Sequence, residues 1–128
     1  MLKPNKIVNK IHLIISTIIV VSAAFVYGFC PNLVLQVDTN TTDEANILKA
    51  IMGMYLAFAL LWILGINNRK YWQAATICNM LFMLGLGFGR IISIAIDGIP
   101  SNIFVLGTIG ELVLGYYAFY QLTQTKNE

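Results

Sequence analysis

Four apolar stretches decide most of what this chain can become: Ile11 to Phe29, Ile47 to Ile66, Tyr71 to Ile96 and Ile103 to Leu122. A bilayer hydrocarbon core about 30 Å thick is crossed by roughly 20 apolar residues in an α-helix. Each stretch is of that order. No water reaches free backbone groups inside a bilayer, so each must be helical there. The composition agrees: 11% of residues are charged, against about 25% in a soluble domain. The expected fold is all-α, a single four-helix transmembrane bundle over residues 1–128, with helices at approximately 7–29, 44–66, 71–96 and 102–123.

The connections carry turn chemistry. CPNLVLQVDTNTTDEAN joins the first two helices and ends in Thr, Asp and Glu, which suit a helix N-terminus. NNRKYW is a short basic turn between helices two and three. In DGIPSN, Asp-Gly and Pro stop helix three, and Ser101 or Asn102 can cap helix four. No soluble domain, low-complexity tract or internal repeat is visible.

The first segment has a rival reading as a cleaved signal peptide. A basic leader precedes it, and Ser22-Ala23-Ala24 offers small residues for cleavage. The apolar run continues through FVYGF, however, which makes a full span. A retained helix is the expectation.

Basic residues set the orientation. Lys3, Lys6 and Lys10 precede helix one, Arg69 and Lys70 lie between helices two and three, and Lys126 is in the tail. The other two loops hold Asp38, Asp43, Glu44 and Asp97, without Lys or Arg. Both termini are therefore expected to be cytoplasmic, and the chain to be a multi-pass protein of the cytoplasmic (inner) membrane.

Lys49, Arg90 and Glu111 fall inside the predicted helices. At 1.5 Å rise per residue, Arg90 lies roughly 10 Å below the outer end of helix three, and Glu111 roughly 13 Å into helix four. Lys49 is roughly 7 Å into helix two by the same rise. An isolated charge in lipid costs about 2.5–3.5 kcal/mol on insertion scales, so these side chains should face the bundle interior and find partners. Arg90 with Glu111 is the natural pair, and Lys49 is expected to join it.

Helical spacing supports an inward placement. Gly107, Glu111 and Gly115 share one face of helix four, and Gly85, Gly89 and Ser93 form a small-residue seam on helix three. Lys49 and Gly53 are one turn apart, and Ser16, Ala23 and Tyr27 share a face of helix one. Ser93 and Asp97 extend a polar stripe from Arg90 toward the outer surface. The ligand-binding candidates are Lys49, Arg90, Ser93, Asp97 and Glu111, around a buried polar pocket open outward. Tyr55, Phe88 and Tyr116 are wall residues if their faces turn inward. The simpler alternative is that buried ion pairs only fix helix packing.

Several functions are poorly supported. Cys30 and Cys78 build no CxxC motif and no Cys/His cluster, and His12 is the single histidine, so no metal site or cofactor is expected. His12 reads as an interfacial residue at the cytoplasmic end. A net charge of +2 without a long basic tract gives no footprint for nucleic acid. A channel is disfavoured because only Asn79 interrupts the apolar inner half.

GRIISIAIDGIP, with Glu111 downstream and GMYLA in helix two, resembles a domain-of-unknown-function family of small bacterial four-helix membrane proteins, loosely similar to DoxX-like proteins. The shared pattern falls on Gly89, Arg90, Ser93, Asp97, Gly98, Pro100 and Glu111. Where that family often has an arginine ahead of Gly-x-Tyr, this chain has Lys49, which keeps the charge but loses the planar fork. The resemblance implies a fold and no activity. DoxX-like kinship suggests a redox accessory role by analogy of fold alone.

Three readings of function stay open. In the first, the bilayer-embedded polar cluster binds a lipid head group or small anion. In the second, the charges only hold helices together in an accessory subunit, with a homo-oligomer or another membrane protein as partner. In the third, Glu111 or Asp97 is the acid or base of an intramembrane enzyme on a lipophilic substrate. Catalysis is the less favoured, because Ser93 has no histidine near it.

Overall fold

The computed structural model describes residues 7–126, and Lys3 and Lys6 lie outside them. The fold is all-helical. A 3₁₀ turn at Val8–Lys10 leads into α1 (Ile11–Phe29), followed by a short α2 (Pro31–Leu35). Then come α3 (Thr42–Asn67), α4 (Arg69–Asp97) and α5 (Asn102–Lys126). Four of these helices are long and apolar enough to cross a membrane, α1 being counted with its 3₁₀ turn.

The helix ends follow from local chemistry. Thr41 and Glu44 form a reciprocal capping box on α3: the Thr41 Oγ1 accepts from the Glu44 N–H at 3.2 Å, and the Glu44 Oε2 accepts from the Thr41 N–H at 3.0 Å. Asn68 separates α3 from α4 and caps α4 through its side chain, which accepts from the Lys70 N–H at 3.0 Å. Gly98 ends α4 with φ 104°, a left-handed backbone that an L side chain would strain. At the start of α5, where a Ser101 or Asn102 side-chain cap was expected, the Ser101 carbonyl makes the first helical bonds, accepting from the Phe104 and Val105 N–H groups.

The loop expected after helix one contains α2. Pro31 at its first turn has the φ a helix start needs and no N–H to leave unsatisfied. Gln36 ends it in the left-handed region at φ 55°.

The helices run alternately up and down. The spatial order is α1, α3, α4, α5, with α5 packed extensively on α4 and only lightly on α1. The bundle is therefore less tightly closed along the α1–α5 side. One end is fixed by three long-range hydrogen bonds. Lys10 Nζ donates to the Ile66 carbonyl at 2.6 Å, Trp72 Nε1 to the Asn9 carbonyl at 2.8 Å, and Tyr117 Oη to the Val8 carbonyl at 3.2 Å. Lys10 thereby places its charge on the carbonyl end of α3, where the helix dipole favours a cation.

The core repeats at helical spacing: Leu13, Val20 and Ala24 on α1, Tyr55, Ala59 and Trp62 on α3, Ala75 and Met83 on α4. Phe82 is its aromatic hub, 5.0–5.3 Å from the rings of Phe58, Tyr55 and Trp62. Removing α1 as a signal peptide would strip Leu13, Val20 and Ala24 from this core. Large apolar side chains such as Ile18, Leu81 and Leu106 point outward, as lipid-facing positions do.

Close helix approach uses glycines other than those expected on α4. A Cβ on Gly85 or Gly89 would meet nothing within 4 Å, and Ser93 is exposed, so that seam does not pack. The packing glycine of α4 is Gly87, against Leu112 of α5, and Gly115 of α5 answers it by receiving Leu84. Gly28 on Met52 and Gly65 on Ala75 make the corresponding approaches elsewhere. Gly107 and Gly53 have nothing within 4 Å to pack on.

Candidate functional site

The expected ion pair forms. Arg90 of α4 and Glu111 of α5 are joined through Nε, at 2.9 Å to Oε2 and 3.2 Å to Oε1. The α4–α5 glycine packing brings them together: Gly87 is three residues before Arg90, and Gly115 is four residues after Glu111, each nearly in line with its charge. Both side chains are largely covered, with 25% and 15% of their surface exposed. The guanidinium also lies over the Phe104 ring at 5.4 Å.

The pair forms part of the wall of a cavity of about 370 Å³. Val20, Ala23 and Tyr27 of α1 line one side, and Gly107 and Gly110 of α5 line the other. Tyr55 of α3 and Met83 of α4 complete it. The cavity thus occupies the gap that α5 leaves beside α1. Its lining includes Ile19, Ser22 and Leu106, which are exposed on the bundle surface, and also Val34 and Leu35 of α2, close to the end of α1. Gly107 and Gly110 leave room in an α5 wall that also carries Phe104, Glu111 and Leu114.

The other candidates lie elsewhere. Lys49 does not join the pair. It is exposed, with its ammonium 6.0 Å from the Phe29 ring centre. Ser93 donates to Asp97 Oδ2 at 2.8 Å, and both are exposed. The polar stripe expected to run up from Arg90 is therefore a local contact outside the cavity. Of the three possible wall aromatics, Tyr55 lines the cavity, while Phe88 and Tyr116 face outward.

This leaves a net charge of zero at the pair. Lys49 contributes nothing there, and Glu111 already answers Arg90. The site offers a donor side and an acceptor side, set in an apolar cleft. Such a wall suits a dipolar group better than a bare anion, because an anion would meet the Glu111 carboxylate as well as the guanidinium.

A second buried polar group was not legible in the sequence. His12 is fully buried where an interfacial residue was expected, and its Nε2 lies 3.2 Å from Thr76 Oγ1. Ser16, one turn along α1, and Asn79, about one turn along α4, are also fully buried, and Gln121 nearly so. The inner half is thus more polar than Asn79 alone. Ser16 Oγ and both amide atoms of Asn79 have no hydrogen-bond partner among the described residues. The one available signal was spacing: His12 and Ser16 are four apart and Thr76 and Asn79 three apart, so each pair shares a helix face.

An unbonded buried amide is costly, whereas an apolar group of similar shape carries no such penalty. Asn79→Leu is therefore expected to raise stability by about 1 kcal/mol, read as a higher midpoint in detergent unfolding. A lower midpoint would overturn this and show that the amide makes hydrogen bonds in the membrane.

The profile of one family, Domain of unknown function (DUF4345), matches residues 8–122. No curated protein matches the chain, and no solved structure does. The matched segment includes the first three long apolar helices, the fourth except its last four residues, the Arg90–Glu111 pair and the cavity beside it, and the chain belongs to this domain-of-unknown-function family.

Proposed function

We propose that this protein is a multi-pass protein of the cytoplasmic membrane that binds a lipid through its polar head group at Arg90 and Glu111. The observation that carries the reading is the lateral cavity: an apolar cleft between α1 and α5 with one ion pair in its wall. Its volume of about 370 Å³ falls in the range of ligand pockets, roughly 300–1,000 Å³. An acyl chain leaves the bilayer through the α1–α5 gap. The head group replaces water at the pair, with its negative part on the guanidinium and its positive or donor part on the carboxylate.

This sharpens the choice between a lipid head group and a small anion. A zwitterionic or uncharged head group matches the neutral pair, and a small free anion does not. The test is binding of lysophosphatidylethanolamine, a single-chain zwitterionic probe, to the purified protein by native mass spectrometry. Wild type should retain it more strongly than oleate, and inorganic phosphate should not compete. Lys49→Gln should leave binding within about twofold, since Lys49 is outside the cavity. Equal retention by Arg90→Ala would overturn the reading.

A second reading is favoured by the direct contact between the two charges. In it the pair only holds α4 on α5, and the protein is an accessory subunit. Arg90→Ala then lowers stability without changing the retention of any probe.

A further inference from the structure

We infer that the groove between α4 and α5 at the basic end is a binding site for an anionic phospholipid of the adjoining leaflet. The groove is separate from the Arg90–Glu111 cavity and shares no lining residue with it. Its volume is about 600 Å³. Arg69 and Lys70 at the start of α4, and Lys126 at the end of α5, form its rim. Ile77 and Met80 of α4 and Phe119 of α5 are among its apolar walls.

The dimensions suit a phospholipid. Ile77 and Met80 lie eight and eleven residues beyond Arg69, roughly 12 and 16 Å along the helix at 1.5 Å per residue. Phe119 lies seven residues before Lys126, roughly 10 Å by the same rise. The charged rim therefore stands at head-group level, with apolar walls descending beside acyl chains.

The charge argues for an anionic occupant. Among the described residues, no carboxylate lines the groove. Among the described residues, all the carboxylates (Asp38, Asp43, Glu44, Asp97 and Glu111) belong to the opposite half of the bundle. The three rim cations make no ion pair among the described residues. The positive dipole end of α4 beside Arg69 and Lys70 is offset by the negative end of α5 beside Lys126, so the attraction rests on the three side chains. Basic side chains next to a membrane attract anionic lipids by about 1 kcal/mol each. Three of them on one groove amount to roughly a hundredfold preference, since each 1.4 kcal/mol is tenfold.

The test is native mass spectrometry of the full chain in detergent, titrated with phosphatidylglycerol or with phosphatidylcholine of the same acyl composition. Wild type should prefer phosphatidylglycerol by well over tenfold. Arg69→Gln/Lys70→Gln/Lys126→Gln should abolish that preference, roughly a hundredfold loss. These side chains are exposed, so circular dichroism should show an unchanged helix content. Glycerol phosphate, which has the charge without the chains, should compete weakly. Met80→Trp, which fills the wall below the rim, should weaken phosphatidylglycerol binding with the three charges intact. Equal binding of the two lipids by wild type, or an unchanged preference in the triple variant, would overturn the proposal. So would full competition by glycerol phosphate. Arg90→Ala should leave the preference intact, which separates this site from the lateral cavity.

Discussion

Arg90→Ala is expected to lower stability by about 2–3 kcal/mol, at or below the lower bound for breaking a fully buried ion pair because both partners keep some exposure. The cost arises mainly from what remains. Glu111 would keep its place in the cavity wall, a carboxylate facing an apolar cleft with its bonding partner gone. Replacing Glu111 by Gln in the same background should therefore recover part of the loss. Steric trapping or unfolding in detergent over the double-mutant cycle measures the coupling directly. Additive single-variant losses, with no recovery in the double variant, would show that the contact does not matter energetically. The same Arg90→Ala variant should lose the zwitterionic lipid probe. The Glu111→Gln single variant keeps the guanidinium and should bind anionic oleate better than wild type does, because the repelling carboxylate is gone.

The second large effect is expected at Gly115. A methyl there would stand 2.7 Å from Leu84 Cδ2 and 3.1 Å from the Leu84 backbone nitrogen. The side chain can rotate away, but the backbone nitrogen moves only if α4 and α5 separate. Gly115→Leu should cost about 3 kcal/mol, at the upper end for overpacking. The separation should also pull Glu111, one turn away, off Arg90, so lipid binding should fall along with stability. Gly85→Leu is the internal control. Its Cβ meets nothing within 4 Å, and it should leave both properties near wild type. Similar losses for the two variants would show that the α4–α5 approach does not depend on Gly115.

The contrast between these glycines shows how far the sequence could be read. Gly85, Gly89 and Ser93 have the spacing of a packing seam, yet the packed residue is Gly87. Two residues along a helix turn it by about 200° at 3.6 residues per turn, so the expected seam lies on nearly the opposite face. Spacing shows which residues share a face and leaves open which way the face points. In a soluble helix the polar side settles that. Here most of the surface must be apolar toward lipid and apolar toward the core, so hydrophobicity gives little direction. Lys49 illustrates the same limit: its position along α3 was readable, but its rotation about α3 carries it to Phe29 and away from Glu111. Where a charge did set the direction, as at Arg90 and Glu111, the pairing was correctly anticipated.

The sequence alone determined four long helices, the basic and acidic ends of the bundle, where three of the helices begin and end, and the position of each charge along its helix. These are one-dimensional properties, fixed by length, rise per residue and the cost of an unsatisfied group in lipid. Tertiary structure decided the rest: the rotation of each helix, the choice of Gly87 and Gly115 as contact points, and the burial of His12, Ser16 and Asn79. It also decided that α5 rests on α4 more than on α1. That last choice opens the cleft beside Arg90, because a cavity is set by how several helices fail to meet, which no single stretch of sequence records.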